Sequence, residues 1–280
     1  MMRVLAAMTA LLMGASVSAA FAQDDASITI TATQTACQVS PPADVPPPAT
    51  PSAAGGNAAV ENHNYALARA NFKALAEKDD AEGERLYGNL LLMNCTGIQD
   101  KDEGIKWLSK AVDENDVIAE RRLGVAYMNG EGVAQDDGKA FALITKAASA
   151  GQAQAQMTLG YLYLSGRGVA ADKYQGMVWT IKAGEQAVPQ ALFNIASGYF
   201  KGNALPQDKE KAVYYLSVGM QRATAQERAR VAGTTNAIVS SLSSDDVKRI
   251  ADRARRWSPG PGSLRDVLDD ARERQKTVQN

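Results

Sequence analysis

The stretch YMNGEGVAQD at residues 127–136 returns as YLSGRGVAAD at residues 163–172. A Gly-x-Gly followed by a small apolar residue also occurs in phosphate-binding loops, but such a loop follows a β-strand. Here the residues before the glycines have a helical pattern, and the aspartate after them, Asp136 or Asp172, is typical of a helix N-cap. We therefore interpret the glycines as hinges with positive φ that fold one helix back on another.

The two copies lie 36 residues apart, and many other positions recur at the same step. Leu123-Gly124 returns as Leu159-Gly160, and the same step relates Gly130, Gly166 and Gly202; Asp100, Asp136, Asp172 and Asp208; and Trp107, Leu143, Trp179 and Tyr215. Each repeat therefore predicts two helices, A and B, which in the second repeat cover residues 118–128 and 137–148. The glycine inside helix A predicts close approach of a neighbouring helix.

These repeats resemble Sel1-like repeats, which are relatives of tetratricopeptide repeats. The family pattern, ALGxxYxxGxGVxxD followed by KAxxWxxKAAxxG, is matched by residues 153–188 and 117–152. Residues 81–116 depart from it at the loop MNCTGIQD, and residues 189–222 have Ala204 in place of the second glycine. The resemblance implies an all-α fold, an α-solenoid of Sel1-like helix-turn-helix repeats with a concave face and a C-terminal helical cap.

The segments outside the repeats have a different character. Residues 1–22 have an early arginine, a short apolar run and an Ala-Phe-Ala site, which together predict a signal peptide. Residues 23–63 are rich in proline and are expected to be extended, and residues 64–80 are expected to be a half-repeat. After the repeats, we expect capping helices over 223–258 and a flexible tail over 259–280, with a short helix in that tail as the alternative.

The signal peptide predicts export, to the periplasm of a diderm bacterium or, alternatively, by secretion. The apolar run is short for a stable span, so the mature chain is expected to have no membrane span, with an uncleaved anchor as the alternative. In an oxidising compartment, the pair Cys37 and Cys95 predicts a disulfide that closes a separation of 58 residues. The alternative is a buried Cys95 thiol with Cys37 free.

The composition gives little support to chemistry. Lys and Arg number 30 against 31 Asp and Glu, so a nucleic-acid partner is not expected. A metal site usually needs three or four clustered ligands, and the single histidine, His63, and the two cysteines form no cluster in the sequence. We therefore expect no catalytic residues, no metal, no cofactor and a protein that is not an enzyme.

The expected function is that of an exported adaptor that binds a protein partner on its concave face. In tetratricopeptide repeats that face consists of helix A positions near the Leu-Gly pair. Transferred to this sequence, the resemblance implies a binding face made of Arg121, Val125, Met157, Tyr161, Phe193, Ser197 and Phe200. Aromatic and Met side chains beside Arg are typical of protein interfaces, although the alternative is that some of these residues pack between repeats.

Two other functions stay open from the sequence. Cysteine-rich relatives with this repeat imply an envelope enzyme that acts on cell-wall or β-lactam-like substrates, but those relatives carry a cysteine pair in each repeat and this chain has one pair in all. A secreted factor that engages host proteins is the other alternative.

Overall fold

The computed structural model describes residues 45–93 and 97–279, and all regular secondary structure in these residues is α-helical. They fall into two compact units, of which the first ends at Ala155 and the second begins at Gln156. The predicted signal peptide, Cys37 and Cys95 lie outside the described residues, so the predicted disulfide stays a prediction.

The described helices of the first unit are α1 (Ala53–Glu61), α2 (Tyr65–Ala76), α3 (Ala81–Leu92), α4 (Lys101–Asp113), α5 (Val117–Asn129) and α6 (Asp137–Ser149). The division between the units falls within α7 (Ala153–Ser165). The second unit continues with α8 (Lys173–Glu185), α9 (Pro189–Lys201), α10 (Lys209–Met220), α11 (Ala225–Arg230), α12 (Ala232–Val239), α13 (Ser244–Ala254) and α14 (Arg265–Gln279). Helices α3 to α10 are the A and B helices of the four predicted repeats, which confirms an all-α solenoid of Sel1-like repeats.

An aspartate begins every B helix of these four repeats, as the spacing predicts. The side chain of Asp136 accepts a hydrogen bond of 2.9 Å from the Lys139 N–H, and Asp100, Asp172 and Asp208 make the same bond to the third residue of their helices. Each cap satisfies a backbone donor that would otherwise lack a partner in the first turn.

The glycines of the opening motif are the predicted hinges. Gly130, Gly132, Gly166 and Gly168 have φ between 68° and 71°, in the left-handed region where a Cβ atom is strained. Because the chain reverses there, the Asp136 N–H returns to donate to the carbonyl oxygen at the end of helix A, residue 127, at 3.0 Å. The fourth repeat lacks the second glycine and instead buries Leu205 completely.

The glycine inside helix A lies where the A and B helices touch. A Cβ atom on Gly160 would lie 2.6 Å from Thr180 Oγ1 and 2.8 Å from the carbonyl oxygen of Gly176. In the first repeat, a Cβ atom on Gly88 would lie 2.8 Å from the carbonyl oxygen of Gly104. All three distances are shorter than a Cβ atom tolerates, so the predicted close approach of a neighbouring helix is confirmed.

A further helix pair precedes the first predicted repeat, and the expectation of an extended segment up to residue 63 is wrong for α1. The side chain of Ser52 caps α1 by accepting from the Gly55 N–H at 3.0 Å. Helix α2 keeps the 36-residue step, because its N-cap Asn64 stands 36 residues before Asp100. Phe72 of α2 is fully buried and packs closely on the backbone of Gly56, so tertiary packing holds a glycine-containing segment in a helix.

The C-terminal segment agrees with the sequence up to α13 and differs beyond it. Thr224 and Glu227 form a complete capping box at α11, and α13 buries Ile250 and Ala254, as expected of capping helices. Residues 259–280 are not a flexible tail with at most a short helix, because α14 runs for 15 residues, and Leu264 just before it and Val267 within it are fully buried.

One residue after each of the helices α2, α4, α6 and α8 has a left-handed backbone, and these four residues stand 36 positions apart. These residues are Asp79, Asn115, Gly151 and Ala187, with φ of 56°, 63°, 91° and 63°. Each conformation lets a backbone N–H turn back to a carbonyl of the last helical turn, as Val188 does to Ala183 at 3.2 Å. Ala187 is the member with neither a glycine backbone nor a short polar side chain to favour this conformation.

Replacing Ala187 with Gly is expected to raise the free energy of unfolding by about 0.5–1 kcal/mol. The left-handed conformation costs an alanine about 1–2 kcal/mol, and the greater freedom of glycine in the unfolded chain offsets part of the gain. Urea denaturation measures the change. Gly151→Ala is the matched control and should lower stability, and a loss of stability on Ala187→Gly would contradict the strain.

Candidate functional site

The structure divides the seven predicted partner-binding residues into two groups. Arg121, Val125, Met157 and Phe193 are buried. Tyr161, Ser197 and Phe200 are half-buried. The face predicted from tetratricopeptide repeats therefore does not present all seven side chains to solvent, and the packing alternative holds for the first four.

The buried members hold helices together. Phe193 of α9 packs on α10, where a Cβ atom on Gly219 would lie 2.7 Å from its ring. Met157 of α7 packs with Ala183 and Ala191, which belong to α8 and α9. An A helix in a stacked repeat is thus covered on more than one side. The positions transferred from tetratricopeptide repeats do not distinguish the covered sides from the exposed one.

The three half-buried members lie on α7 and α9 of the second unit. Tyr161 and Ser197 occupy the same position of successive A helices, 36 residues apart. Phe200 has its equivalent in Leu164, which is one of the few exposed large apolar side chains among the described residues. We call Tyr161, Leu164, Ser197 and Phe200 the A-helix strip, and that it binds a partner stays a prediction.

Buried ion pairs at the 36-residue step are a feature that sequence reasoning missed. Lys110 Nζ lies 2.8 Å from Glu84 Oε1, and Lys146 Nζ lies 2.6 Å from Glu120 Oε1. Both carboxylates are buried between the helices of their repeats, whereas both ammonium groups reach solvent. Hydrogen bonds to Asp79 and Glu84 raise the pKa of Lys110.

The third repeat has no such pair. Gln156 takes the register of the glutamates, and its side-chain oxygen accepts from Gln186 Nε2 at 2.9 Å. Lys182, at the register of the lysines, places its Nζ 3.8 Å from the centre of the Trp179 ring. The fourth repeat has Leu192 and Val218 at these two registers, so the buried ion pairs are structural elements of the first two repeats.

A second polar cluster joins α14 to the last repeat. The Tyr199 hydroxyl donates to Asp270 Oδ2 at 2.6 Å, and the Tyr215 hydroxyl donates to the Asp266 carboxylate at 2.7–2.8 Å. Lys211 forms an ion pair with Asp270 and lies over the Tyr199 ring at 5.3 Å. Two carboxylates one helical turn apart are thus bound by two tyrosines and one lysine.

The electrostatics of this cluster keep the tyrosines as hydrogen-bond donors. Burial, with the carboxylate of Asp270 acting in the same direction, raises the pKa of the Tyr199 hydroxyl well above its usual range. Burial and Asp266 raise the pKa of Tyr215 in the same way. Both hydroxyls therefore stay protonated at neutral pH and donate to the carboxylates of α14.

Metal and membrane features can be judged for residues 45–93 and 97–279. In this part of the chain no group of three or more His, Cys, Asp or Glu side chains could hold a metal ion. No helix there is long and apolar enough to cross a membrane.

Comparisons with known structures show the fold. A protective antigen of uropathogenic Escherichia coli strains with an SLR fold, c5321, superposes with a TM-score of 0.59 at 21% identity, over 76% of this chain and 44% of the antigen. A Sel1 repeat protein from Oxalobacter formigenes superposes with a TM-score of 0.56 at 20% identity, over 68% of this chain and 55% of that protein. This chain thus spans about half the length of these proteins.

Sequence comparison agrees with the structural one. No curated protein sequence matches this chain. The model of the Sel1 repeat matches four times, at residues 81–116, 117–152, 153–188 and 189–217, which are the first three predicted repeats and most of the fourth. With the A and B helices in place at each match, the chain is a Sel1-like repeat protein.

Proposed function

We propose that this protein is a non-enzymatic adaptor that binds a segment of a protein partner along the A-helix strip. Sel1 repeat proteins generally mediate protein–protein interaction. The observation that carries the proposal is the A-helix strip itself, where Tyr161, Leu164 and Phe200 keep apolar surface accessible on successive A helices. Aromatic side chains that are half-buried before binding lose little entropy on binding and contribute much contact area.

The adaptor acts after export, in the periplasm or outside the cell. Support for this location comes from the sequence alone, from the early arginine, the apolar run and the Ala-Phe-Ala site within residues 1–22. Fusion of residues 1–22 to a reporter that is active only outside the cytoplasm tests it, and an inactive reporter would overturn the location.

The proposed site is tested by crosslinking in cells, followed by mass spectrometry of the captured proteins. Tyr161→Ala combined with Phe200→Ala should lower capture of the main partner at least about ten-fold, as loss of interface anchors does. Phe193 is spared, because its burial would confuse loss of binding with loss of folding.

Tyr163→Ala is the matched control. Tyr163 is a half-buried tyrosine of the same helix, but two residues along an α-helix point to roughly opposite sides. Capture should survive this substitution, and far-UV circular dichroism should report the same helix content for all variants. Normal capture by the folded double variant would show that the partner binds elsewhere.

A further inference from the structure

Helix α14 contacts the repeats through both apolar and polar groups. The apolar contact consists of Leu264, just before the helix, and of Val267 and Ala271 within it, all buried, with the partly buried Leu268 beside them. Around these residues lie the bonds from Tyr199, Tyr215 and Lys211 to Asp266 and Asp270. A small apolar core with charged and hydroxyl partners around it is typical of interfaces that form and separate, rather than of a domain core.

The segment that leads into α14 has the properties of a hinge. Residues 259–262 read Pro-Gly-Pro-Gly, and Gly260 and Gly262 have φ of 153° and 77°. A Cβ atom on Gly260 would meet no atom within 4 Å. Glu185 holds the segment, since its carbonyl oxygen accepts from the Gly260 N–H at 2.9 Å and its carboxylate from the Gly262 N–H at 2.7 Å. Two hydrogen bonds from glycine N–H groups to Glu185 therefore tie this segment to α8.

The surface under α14 is adapted to receive a helix. Gly184 of α8 leaves the space that Leu264 fills, because a Cβ atom there would lie 2.7 Å from Leu264 Cδ1. The residues at the same register of the other described B helices are larger and would close this space, and they are Ala76, Val112, Ala148 and Met220. The two tyrosines that bind the carboxylates, Tyr199 and Tyr215, occur together in the last repeat alone.

We propose that the surface formed by Gly184, Tyr199, Lys211 and Tyr215 is a helix-binding groove, in which α14 is an internal occupant that a helix of a partner protein displaces. The groove is distinct from the A-helix strip, so the proposal does not depend on partner binding there. Displacement exposes two hydroxyl donors and one ammonium group, which together select carboxylates.

The contacts of α14 define the chemistry of the partner helix. It carries two carboxylates one turn apart, a leucine two residues before the first, a β-branched residue directly after the first, and a small residue directly after the second. In this chain those residues are Asp266 and Asp270, Leu264, Val267 and Ala271. Such a helix is amphipathic and acidic on the edge that meets Lys211.

The probe for this groove is a fluorescently labelled synthetic peptide of residues 262–279 of this chain. Its binding is measured by anisotropy on the full chain and on a full-length released variant, Val267→Ser with Asp270→Ala, whose own α14 docks weakly. The released variant should bind at least about ten-fold tighter than the wild type, because the tethered α14 of the wild type competes at high effective concentration.

Two controls make the result specific. Adding Lys211→Ala to the released variant should weaken peptide binding about ten-fold, and a peptide with Asp266→Asn and Asp270→Asn should bind equally poorly. The proposed groove would be contradicted if the released variant kept its helical circular dichroism but did not bind the peptide. Peptide binding that Lys211→Ala leaves unchanged would contradict it as well.

Hydrogen exchange on the unmodified chain gives an independent test. The amides of α14 should exchange through a local opening, faster than the amides of α9 and α10. Exchange of α14 only together with α9 and α10 would identify it as a fixed part of the cap and overturn the proposal. If the wild type formed a stable dimer in which two copies exchange α14, the occupant of the groove would be a second copy of this chain, and the proposal of a different partner protein would be wrong.

Discussion

Replacing Gly160 with Val is expected to lower the free energy of unfolding by about 3 kcal/mol. The added side chain would start at a Cβ position 2.6 Å from Thr180 Oγ1 and 2.8 Å from the Gly176 carbonyl oxygen, and it would branch there. Because one of these atoms belongs to the backbone, the two helices must move apart to accommodate the valine side chain. Overpacking of this kind costs about 1–3 kcal/mol, and branching at the contact places this substitution at the upper end.

Gly233→Val is the matched control for this substitution. Gly233 also lies in a helix, α12, but apart from its chain neighbours and the backbone of its own helix no atom lies within 4 Å of its Cβ position. Its replacement should change stability by less than about 0.5 kcal/mol, as surface substitutions do. Urea denaturation followed by circular dichroism compares the two variants, and equal midpoints would contradict the close approach of α7 and α8.

The opening motif predicted more of the fold than any other stretch, because its residues act locally. Asp136 caps the helix that it begins, and Gly130 and Gly132 adopt left-handed φ because glycine has no Cβ atom. Gly160 was predictable for a related reason, since a glycine that lowers helix propensity at a recurrent position indicates a contact that excludes side chains. These signals need no knowledge of distant residues.

Helix α1 was missed, and α14 was predicted only as a short helix and only as the alternative, because distant residues decide both helices. Helix α1 contains two glycines, and its main apolar contact is Phe72, in the next helix. Helix α14 has eight charged residues among fifteen, and its thin apolar stripe becomes a docked face only against Gly184, Tyr199 and Tyr215. Neither contact leaves a periodic signal strong enough in the segment itself.

The burial of the residues in the candidate binding face was not predicted from the sequence. Their position in the A helix did not separate the half-buried Tyr161 and Ser197 from Met157 and Phe193, which pack against neighbouring helices. That distinction depends on how closely successive helices pack, which a single sequence does not give. The buried ion pairs had a usable signal, because Glu84 recurs as Glu120 while Lys110 recurs as Lys146.

Replacing Lys146 with Met is expected to lower the free energy of unfolding by about 2 kcal/mol. The Glu120 side chain is 1% exposed, so the substitution leaves a buried carboxylate without its cation. Breaking a buried pair costs about 3–5 kcal/mol, and we reduce this figure because the Lys146 side chain is 54% exposed and solvent screens the pair. Urea denaturation at neutral pH measures the loss.

The third repeat supplies the matched control for Lys146→Met. Lys182 stands at the same register, but Gln156 replaces the glutamate, so Lys182→Met strands no buried charge and should cost less than about 1 kcal/mol through its contact with Trp179. Adding Glu120→Gln to Lys146→Met should restore most of the loss, because Gln156 demonstrates that an amide is accommodated at this register. Equal costs for Lys146→Met and Lys182→Met, or no recovery in the double variant, would mean that the buried carboxylate does not need its lysine.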